Sequence, residues 1–350
     1  MPEADVLAAA IDPPRAFGRP IGTARIRTEP EDFIIDEELG FGPDGEGPHV
    51  LLRVRKRCAN TAWVARELAR AARCREHDVG YAGLKDRHAV ATQWFSIPAG
   101  RRPCSEWPGF GGEGFVVLEA HPHRRKLPRG ALAANRFAIR VRSLEVDRGA
   151  LRERLELVRT HGVPNYFGVQ RFGRGAANLD RLNAVAQLRR HERSFVLSAA
   201  RSLVFNAVLA ERVSDGTWQR LESGDIAILD GRGSIFAVDA VEAAIAERAS
   251  RLEVHPTGPL WGAGAPRTAG RVRALEVATA ERFPAACEAS SAAGMAQERR
   301  SLRLNVRDLE YDLQDEPVIA FRLTRGAFAT CVLRELLDCA DGHSGGEEGA

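Results

Sequence analysis

One stretch constrains most strongly what this 350-residue chain can fold into. Residues 79–97 read VGYAGLKDRHAVATQWFSI, in which two glycines precede a Lys-Asp-Arg triplet and a β-prone apolar run follows it. Glycine allows a sharp turn or a close approach of the backbone, and the apolar run is typical of a strand. The stretch therefore predicts a strand, a tight turn and a second strand, with Asp86 held at the turn.

The acid of this turn, Asp86, stands between Lys85 and Arg87. Neighbouring positive charge favours the charged form of a carboxyl group, so we expect this aspartate to be ionised. An ionised and positioned carboxylate can act as a nucleophile, a base or a metal ligand. The alternative is a solvated surface turn, and the triplet by itself does not decide between the two.

Six segments of the chain resemble the motifs of a known family and occur in the same order. They are RTEPEDFIIDE (27–37), GLKDRHAVATQWFSI (83–97), the Asn-x-Phe of ALAANRFAIRVR (131–142), GVPNYFGVQRFG (162–173), SAARSLVFNAVLAER (198–212) and RGAFATCVLREL (325–336). Together they resemble the pseudouridine synthase D (TruD) family of tRNA-modifying enzymes. Two positions depart from the family pattern, since Arg27 stands where a lysine is expected and Val169 where an acid is expected.

This resemblance implies a reaction. It implies a tRNA pseudouridine synthase, an isomerase that converts a uridine of tRNA, uridine-13, to pseudouridine. It implies no cofactor and no metal. The catalytic residue that it implies is Asp86, which either attacks or stabilises the ribose carbon C1′ or acts as a base. The sequence leaves these two roles open.

The resemblance also places side chains around the uracil base. It puts Phe33 and Phe137 beside the base, where an aromatic face can stack, and gives Asn135 a base edge to hold or Asp86 to position. On residue type alone, a Phe in a strand belongs to the core and an Asn at a strand start belongs to a turn. The implied substrate-binding residues, including three cations that keep the aspartate ionised, are Phe33, Asn135, Phe137, Arg27, Lys85 and Arg87.

Charge points towards RNA by its distribution rather than its sum. The formal net charge is only +3, which is too small to indicate a nucleic-acid partner by itself. Residues 120–143, however, carry seven Lys or Arg and no acid, and residues 157–175 are also free of acids. Such stretches suit a phosphate backbone, although a solvated basic face is the alternative. The tRNA contacts that we predict are Arg124, Arg125, Lys126, Arg171 and Arg174.

Two rival functions remain open at this point. A non-catalytic RNA-binding relative would keep the basic stretches, but decay usually removes the catalytic acid, and Asp86 is present. A glycosidase that acts on a small sugar would pair two carboxylates, and no second motif acid accompanies Asp86. The nearest candidates for a second acid are Glu31, Asp32 and Glu37.

The periodicities along the chain indicate both strands and helices, and the resemblance implies an α+β fold. Asn60 is a favourable N-cap for a helix that runs to about Cys74, ahead of the Asp86 turn. The resemblance implies a mixed, mainly antiparallel sheet with flanking helices in the pseudouridine synthase catalytic domain. It also implies an inserted α+β domain.

The order of the motifs predicts a discontinuous catalytic domain, because the last strand and helix resemble its end. We expect the catalytic domain to comprise residues 20–159 and 306–340, and the inserted domain to comprise residues 160–305. Residues 1–19 and 341–350 are rich in small or polar residues and are expected to be disordered tails.

Cysteine usage and hydropathy indicate the compartment. The six cysteines lack CxxC spacing and predict neither a metal site nor a disulfide framework. The N-terminus has early acids and a Pro-Pro pair, unlike a signal peptide. No apolar run approaches the roughly 18 residues that a membrane span needs. We expect a soluble, cytoplasmic monomer that binds tRNA and neither a membrane nor a metal.

Overall fold

The computed structural model describes residues 3–100 and 102–342, with side chains from residue 7 onward. Helices flank mixed and mainly antiparallel sheets, so the predicted α+β fold class is confirmed. The helices are α1 (Glu3–Ile11), α2 (Thr61–Ala72), α3 (Arg148–His161), α4 (Ala177–Asp180), α5 (Arg190–Ser214), α6 (Ala243–Ser250), α7 (Gly270–Ala280), α8 (Pro284–Ala292) and α9 (Ala329–Leu336). The strands are β1 (Gly22–Ile26), β2 (Phe33–Leu39), β3 (His49–Arg57), β4 (Gly80–Tyr81), β5 (Val90–Pro98), β6 (Gly111–Gly112), β7 (Phe115–His123), β8 (Leu132–Arg140), β9 (Arg142–Val146), β10 (Val163–Pro164), β11 (Asp225–Leu229), β12 (Ile235–Val238), β13 (Val254–Leu260), β14 (Glu298–Ser301), β15 (Arg303–Leu304), β16 (Arg307–Asp312), β17 (Val318–Thr324) and β18 (Asp338–Asp341).

These elements form two compact units. Within the described residues, the large-sheet unit comprises residues 21–148, 307–326 and 337–342, and the helical unit comprises residues 3–20, 149–306 and 327–336. Unlike in the expected domains, α1, most of α3 and α9 belong to the helical unit, because a helix joins the element on which its apolar stripe packs. The expected C-terminal tail lies outside the described residues from position 343, while Asp341 ends β18.

The large-sheet unit is built on nine strands in the order β16-β17-β8-β2-β5-β3-β7-β6, with β4 paired to β5. Neighbouring strands are antiparallel except for β2 and β5, which are parallel. A smaller sheet in the same unit has the order β18-β1-β9, and there β1 runs parallel to β18. The chain therefore returns at its C-terminal end to pair with its first strand.

The register of the large sheet places one set of side chains on a common face. Side chains alternate along a strand, and paired residues point to the same side. We call this side the inner face, and it carries Phe33, Ile35 and Glu37 of β2, Lys56 of β3, Ala91 and Gln93 of β5, Asn135 and Phe137 of β8, and Phe321 of β17. All nine side chains are buried, although four of them are polar or charged.

Helix α2 follows the predicted pattern closely. Asn60 has the extended backbone of an N-cap, without a side-chain capping bond, and the helix ends at Ala72 rather than at about Cys74. Its apolar stripe, which includes Val64 and Leu68, packs with residues of β3, β5 and β7 into one core. Thr61, the first helical residue, is also buried and turns its hydroxyl towards the sheet.

Helix α5 is the centre of the helical unit, and α1, α7 and α8 pack against it. Residues 3–11, which were expected to be disordered, form α1 because Leu7, Ala10 and Ile11 give helical spacing and pack into the apolar cluster of α5. Buried Asn206 of α5 donates a hydrogen bond of 3.0 Å to the carbonyl of Ala10. That bond satisfies a carbonyl at the end of α1.

The helical unit also contains a four-stranded sheet in the order β12-β11-β13-β14. Within it, β11 and β12 pair as an antiparallel hairpin. Among the described helices, α5 alone is long and apolar enough, by length and composition, to cross a membrane. Of its apolar 18-residue stretch, 78% is buried within the chain. Such burial is typical of a core helix.

Candidate active site

The loop that carries Asp86 connects β4 to β5, and these strands pair Gly80 with Ser96. The predicted arrangement of strand, turn and strand is therefore confirmed, and we call residues 82–89 the Asp86 loop. A Cβ atom at Gly80 would lie 2.5 Å from both the Leu127 carbonyl oxygen and Ser96 Oγ. Only glycine permits that close approach. The Asp86 side chain is 54% exposed.

Lys85 enters the sheet instead of facing its neighbour Asp86. Its ammonium group forms an ion pair with Glu37 on the inner face, and the two side chains are 6% and 0% exposed. The Glu37 carboxylate also accepts a hydrogen bond of 3.1 Å from the backbone N–H of Trp94. A buried ion pair with additional hydrogen bonds ties the loop to β2 and β5. The charge of Lys85 is balanced there by Glu37.

Two buried neutral side chains hold the backbone of the loop. The Thr61 hydroxyl accepts a hydrogen bond of 3.1 Å from the N–H of Lys85 and donates one of 2.8 Å to Gln93 Oε1. The Gln93 amide in turn donates to the carbonyl of Gly83 at 3.3 Å. Because these groups are buried, each unmade bond would carry a desolvation penalty, which favours one conformation of the loop.

A buried cation, Lys56, completes these contacts. It is 0% exposed, and its Nζ donates hydrogen bonds to the carbonyl of Asp86 at 2.7 Å and to that of Lys85 at 3.5 Å. Burial lowers the pKa of Lys56 to about 8, although the Asp86 carboxylate acts in the opposite direction. The loop is thus held from below by side chains of β2, β3, β5 and α2.

Above the loop, Arg27 is the cation that faces the aspartate. Its Nη2 lies 3.5 Å from Asp86 Oδ2, and its Nη1 donates a hydrogen bond of 3.0 Å to Asp341 of β18. The guanidinium carbon also lies 4.2 Å from the centre of the Phe33 ring. Arg27 has a φ of 53°, a left-handed conformation that costs about 1–2 kcal/mol for a residue with a Cβ. The fold thus holds a strained residue beside Asp86.

The aromatic residues of the predicted pocket form one buried row. Phe33 and Phe137 are 1% and 5% exposed, and their ring centres lie 6.0 Å apart at an edge-to-face angle of 69°. Phe137 also contacts Phe321 at 5.6 Å. Arg27 covers one face of Phe33, so a base that stacks on this ring requires the guanidinium to move aside.

Asn135 lies two residues before Phe137 on the same face of β8. It is 9% exposed, and its Oδ1 is buried without a hydrogen-bond partner among the described residues. A buried acceptor without a partner is costly, and a ligand that donates a hydrogen bond to it would relieve that cost. Arg87 is exposed and forms no ion pair within the described part of the chain. Of the three predicted cations, Arg27 alone forms an ion pair with Asp86 among the described residues.

The predicted tRNA contacts differ in whether their charged groups already have a partner within the protein. Arg124 pairs with Glu46, and Lys126 donates a hydrogen bond to the carbonyl of His77. Arg125 is exposed and has no ion-pair or hydrogen-bond partner over residues 7–100 and 102–342. Its charge is therefore available to a ligand.

The other two predicted contacts belong to the helical unit. Arg171 donates a hydrogen bond of 3.1 Å to Ser198 Oγ, and burial lowers its pKa. Its guanidinium carbon lies 5.2 Å from the centre of the Phe167 ring. Arg174 is exposed. The structure thus places the five predicted contacts on two separate units.

A cleft of about 400 Å³ lies elsewhere in the large-sheet unit. Its lining includes Arg140, Arg142, Arg148 and Glu316, and it contains none of the predicted site residues. Arg140 and Glu316 form an ion pair of 3.0 Å within it. No group of three or more His, Cys, Asp or Glu side chains is arranged to hold a metal ion in the described residues.

Known proteins are similar to this chain over almost its whole length. The sequence model of the tRNA pseudouridine synthase D (TruD) family matches residues 18–181 and 176–336. The chain belongs to the TruD family. A tRNA pseudouridine synthase D of Methylococcus capsulatus is 45% identical over 93% of this chain and 94% of its own length. One of Pseudomonas aeruginosa is 43% identical over 93% of both chains.

A solved TruD fold agrees with the architecture described above. The crystal structure of a chain from Methanosarcina mazei, which carries the same family name, matches with a TM-score of 0.70. It covers 98% of this chain and 99% of its own, at 20% identity. The predicted family and the predicted enzyme class, an isomerase of the pseudouridine synthase type, are therefore confirmed.

Sequence reasoning missed several residues that shape this TruD site. Lys56 and Gln93 were not singled out, and Glu37 was considered only as a second acid for a glycosidase. Each lies at an inward-facing position of a strand whose residues alternate between buried and exposed. A polar residue at such a position is unusual, and that is the signal that could have identified it. Leu84 was also missed, and it is 71% exposed at the tip of the Asp86 loop. This loop therefore presents an apolar and an acidic side chain together.

Proposed function

We propose that this TruD enzyme isomerises uridine-13 of tRNA to pseudouridine, with Asp86 as the catalytic carboxylate. The observation that carries the proposal is the placement of Asp86. Its carboxylate is half exposed on a loop that buried side chains hold, and it lies 3.5 Å from Arg27. A charged group held in place next to a cation, and open to a ligand, suits chemistry at a ribose carbon.

The reaction breaks the bond between N1 of uracil and C1′ of ribose, turns the base, and joins C5 to C1′. A carboxylate can attack C1′ or stabilise its positive charge, as in retaining glycoside chemistry. It can instead act as a base towards the sugar or towards C5. Both roles use a carboxylate group, beside which Arg27 places a positive charge at 3.5 Å. The proposed chemistry uses no cofactor and no metal.

The target base must leave its stack before it can react. Extraction of a base costs a few kcal/mol, which stacking and edge contacts in the pocket offset. We assign the stacking role to Phe33 and Phe137, and the edge contact to Asn135. The buried Oδ1 of Asn135, which has no partner in the described structure, supports this assignment because uracil N3–H is a donor. Arg27 moves off Phe33 as the base enters.

The remaining substrate affinity comes from phosphates. Structured RNA is recognised largely through its shape and backbone, and arginine suits bidentate phosphate contacts. We assign this role to Arg125, whose charge is available, and to the four other predicted tRNA contacts, Arg124, Lys126, Arg171 and Arg174. We propose that the catalytic chemistry belongs to the large-sheet unit and that the enzyme acts as a cytoplasmic monomer.

The test uses a tRNA transcript that carries tritium on C5 of its uridines. Formation of the C5–C1′ bond must release the C5 hydrogen, so the enzyme is expected to release label and to leave pseudouridine at position 13. A transcript with cytidine at position 13 is the matched control and should release none. Binding of tRNA without release would favour the non-catalytic relative, and free uracil from nucleosides would favour a glycosidase. Either result would refute the proposal.

A further inference from the structure

A charged lysine lies buried beneath the Asp86 loop. Lys56 is 0% exposed on the inner face, between β5 and β7, and no carboxylate lies within ion-pair distance of its Nζ in the described structure. Its ammonium group instead donates to two backbone carbonyls, those of Asp86 at 2.7 Å and Lys85 at 3.5 Å. Burying a charge without an opposite charge is unfavourable, so the fold gains little stability from this choice of residue.

We propose that Lys56 is a positioning residue for catalysis. Its ammonium group holds the main-chain carbonyl of Asp86 and thereby fixes where the Asp86 carboxylate points. The inference rests on the proposed function, because it requires Asp86 to be the reacting group. It differs from the roles of Thr61 and Gln93, whose neutral groups hold the backbone on the other side of the loop, at Gly83 and at the N–H of Lys85.

A charged donor is needed here for two reasons. Hydrogen bonds from an ionised donor are roughly twice as strong as neutral ones, so an ammonium group fixes a carbonyl more firmly than an amide would. The positive charge also attracts the nearby Asp86 carboxylate electrostatically. The titratable groups that face the ammonium are Asp86, which stabilises its charge, Lys85, which opposes it, and Cys58, the residue after β3. Around neutral pH it remains protonated, since its pKa is about 8.

The decisive variant is Lys56→Met, which keeps the length and apolar character of the stem and removes the charge. We expect the single-turnover rate of pseudouridine formation to fall by about 10²-fold, the effect of a small misplacement of a catalytic group. The KM for tRNA and the melting temperature should stay at the wild-type values. Arg55→Met, which removes an exposed cation from the same strand, is the matched control and should keep the wild-type rate.

Two results would overturn the inference. One is a wild-type rate in Lys56→Met, and the other is a rate that falls only in step with melting temperature and tRNA binding. Asp86→Asn is assayed in parallel. If that variant is inactive while Lys56→Met is fully active, the positioning role fails and the proposed function stands. If Asp86→Asn is active, the proposed function itself fails.

The pH profile of the wild-type enzyme gives a second readout that needs no variant to fold. As pH rises through about 8, Lys56 loses its proton and the clamp weakens, so the single-turnover rate should decline. In Lys56→Met this decline should be absent, because the ammonium group whose titration causes it has been removed. A wild-type rate that stays flat or rises from pH 7 to 9 would contradict the inference.

Discussion

The guanidinium group of Arg27 lies 3.5 Å from the carboxylate of Asp86, between Nη2 and Oδ2. The same group covers Phe33 and donates to Asp341, so one cation links the acid, an aromatic ring and the C-terminal strand. The planar fork of an arginine can serve two carboxylates at once, whereas the single ammonium of the lysine expected at this position presents one point charge. This departure from the family pattern thus keeps the cation and adds a contact to β18.

Removal of this cation should reduce turnover more than binding. In Arg27→Ala the Asp86 carboxylate loses the ion-pair partner that orients it, so we expect a rate about 10²-fold lower. Arg27→Lys keeps the charge and should retain a larger share of activity. The measurement is single-turnover pseudouridine formation, together with the Kd for tRNA. Arg25→Ala removes an exposed arginine of β1, two residues before Arg27, and is the control. A rate within twofold of wild type for Arg27→Ala would refute this role.

The buried pair of Lys85 and Glu37 should matter for stability. Glu37→Gln leaves a buried ammonium without a carboxylate, and breaking such a pair costs about 3–5 kcal/mol. The double variant Glu37→Gln/Lys85→Met removes both charges and should recover most of that loss. The free energy of unfolding, measured from urea titrations, checks both expectations. If Glu37→Gln unfolds at the wild-type urea concentration, the ion pair does not anchor the loop.

A second ion pair predicts a loss of stability in acid. Burial acts to raise the pKa of Asp32, but hydrogen bonds from Arg142 and from the N–H of Glu29 outweigh it, so this pKa is lowered. A lowered pKa in the folded state stabilises the protein above the ordinary value, about 3.9, and this contribution disappears as pH falls below it.

The comparison of Asp32→Asn with wild type tests this contribution. The variant should melt at a lower temperature at pH 7, and the difference should shrink as pH falls below about 4. Glu31→Gln, which removes a half-exposed acid paired with Arg57, is the control and should change stability by less than about 1 kcal/mol. A difference for Asp32→Asn that is equal at pH 7 and at pH 3 would contradict the assignment.

Affinity for tRNA should fall steeply with salt, because phosphate contacts release counterions. Arg125→Ala removes an exposed charge that has no partner in the described residues. It should therefore reduce the slope of log Kd against log salt concentration by about one, the contribution of one phosphate contact. Arg124→Ala removes a charge that Glu46 already balances and should have a smaller effect. Filter binding over a salt series measures the slopes. A slope near zero in wild type would rule out the basic stretches as the tRNA grip.

The sequence predicts the elements of this fold better than their grouping. Periodicity locates α2 and the strands around Asp86, because alternation and helical spacing are local signals. It cannot show that α1 packs on α5 or that β18 pairs with β1, since those contacts join residues far apart in the chain. Residues 1–19 were therefore expected to be disordered, whereas residues 3–11 form a helix. Strand β18 extends into the expected C-terminal tail by one residue, Asp341.

The site was predicted by resemblance to the family more than by chemistry. The resemblance brought Arg27, Phe33, Asn135 and Asp86 into one group, and the structure places them in one unit. It did not show that Lys85 turns away to Glu37. Side-chain direction in an irregular loop depends on tertiary contacts, and neighbouring residues in the sequence need not face the same group.

The central claim is that Asp86 performs the chemistry, and one substitution tests it most directly. Asp86→Asn keeps the size of the side chain and removes its charge, while Asp338→Asn makes the same change at an exposed aspartate of β18. Both purified variants are mixed in excess with a tRNA transcript, and pseudouridine at position 13 is quantified over time alongside the Kd. We predict no product from Asp86→Asn at near wild-type affinity, and wild-type product from Asp338→Asn. Pseudouridine formation by Asp86→Asn at the wild-type rate would contradict the account.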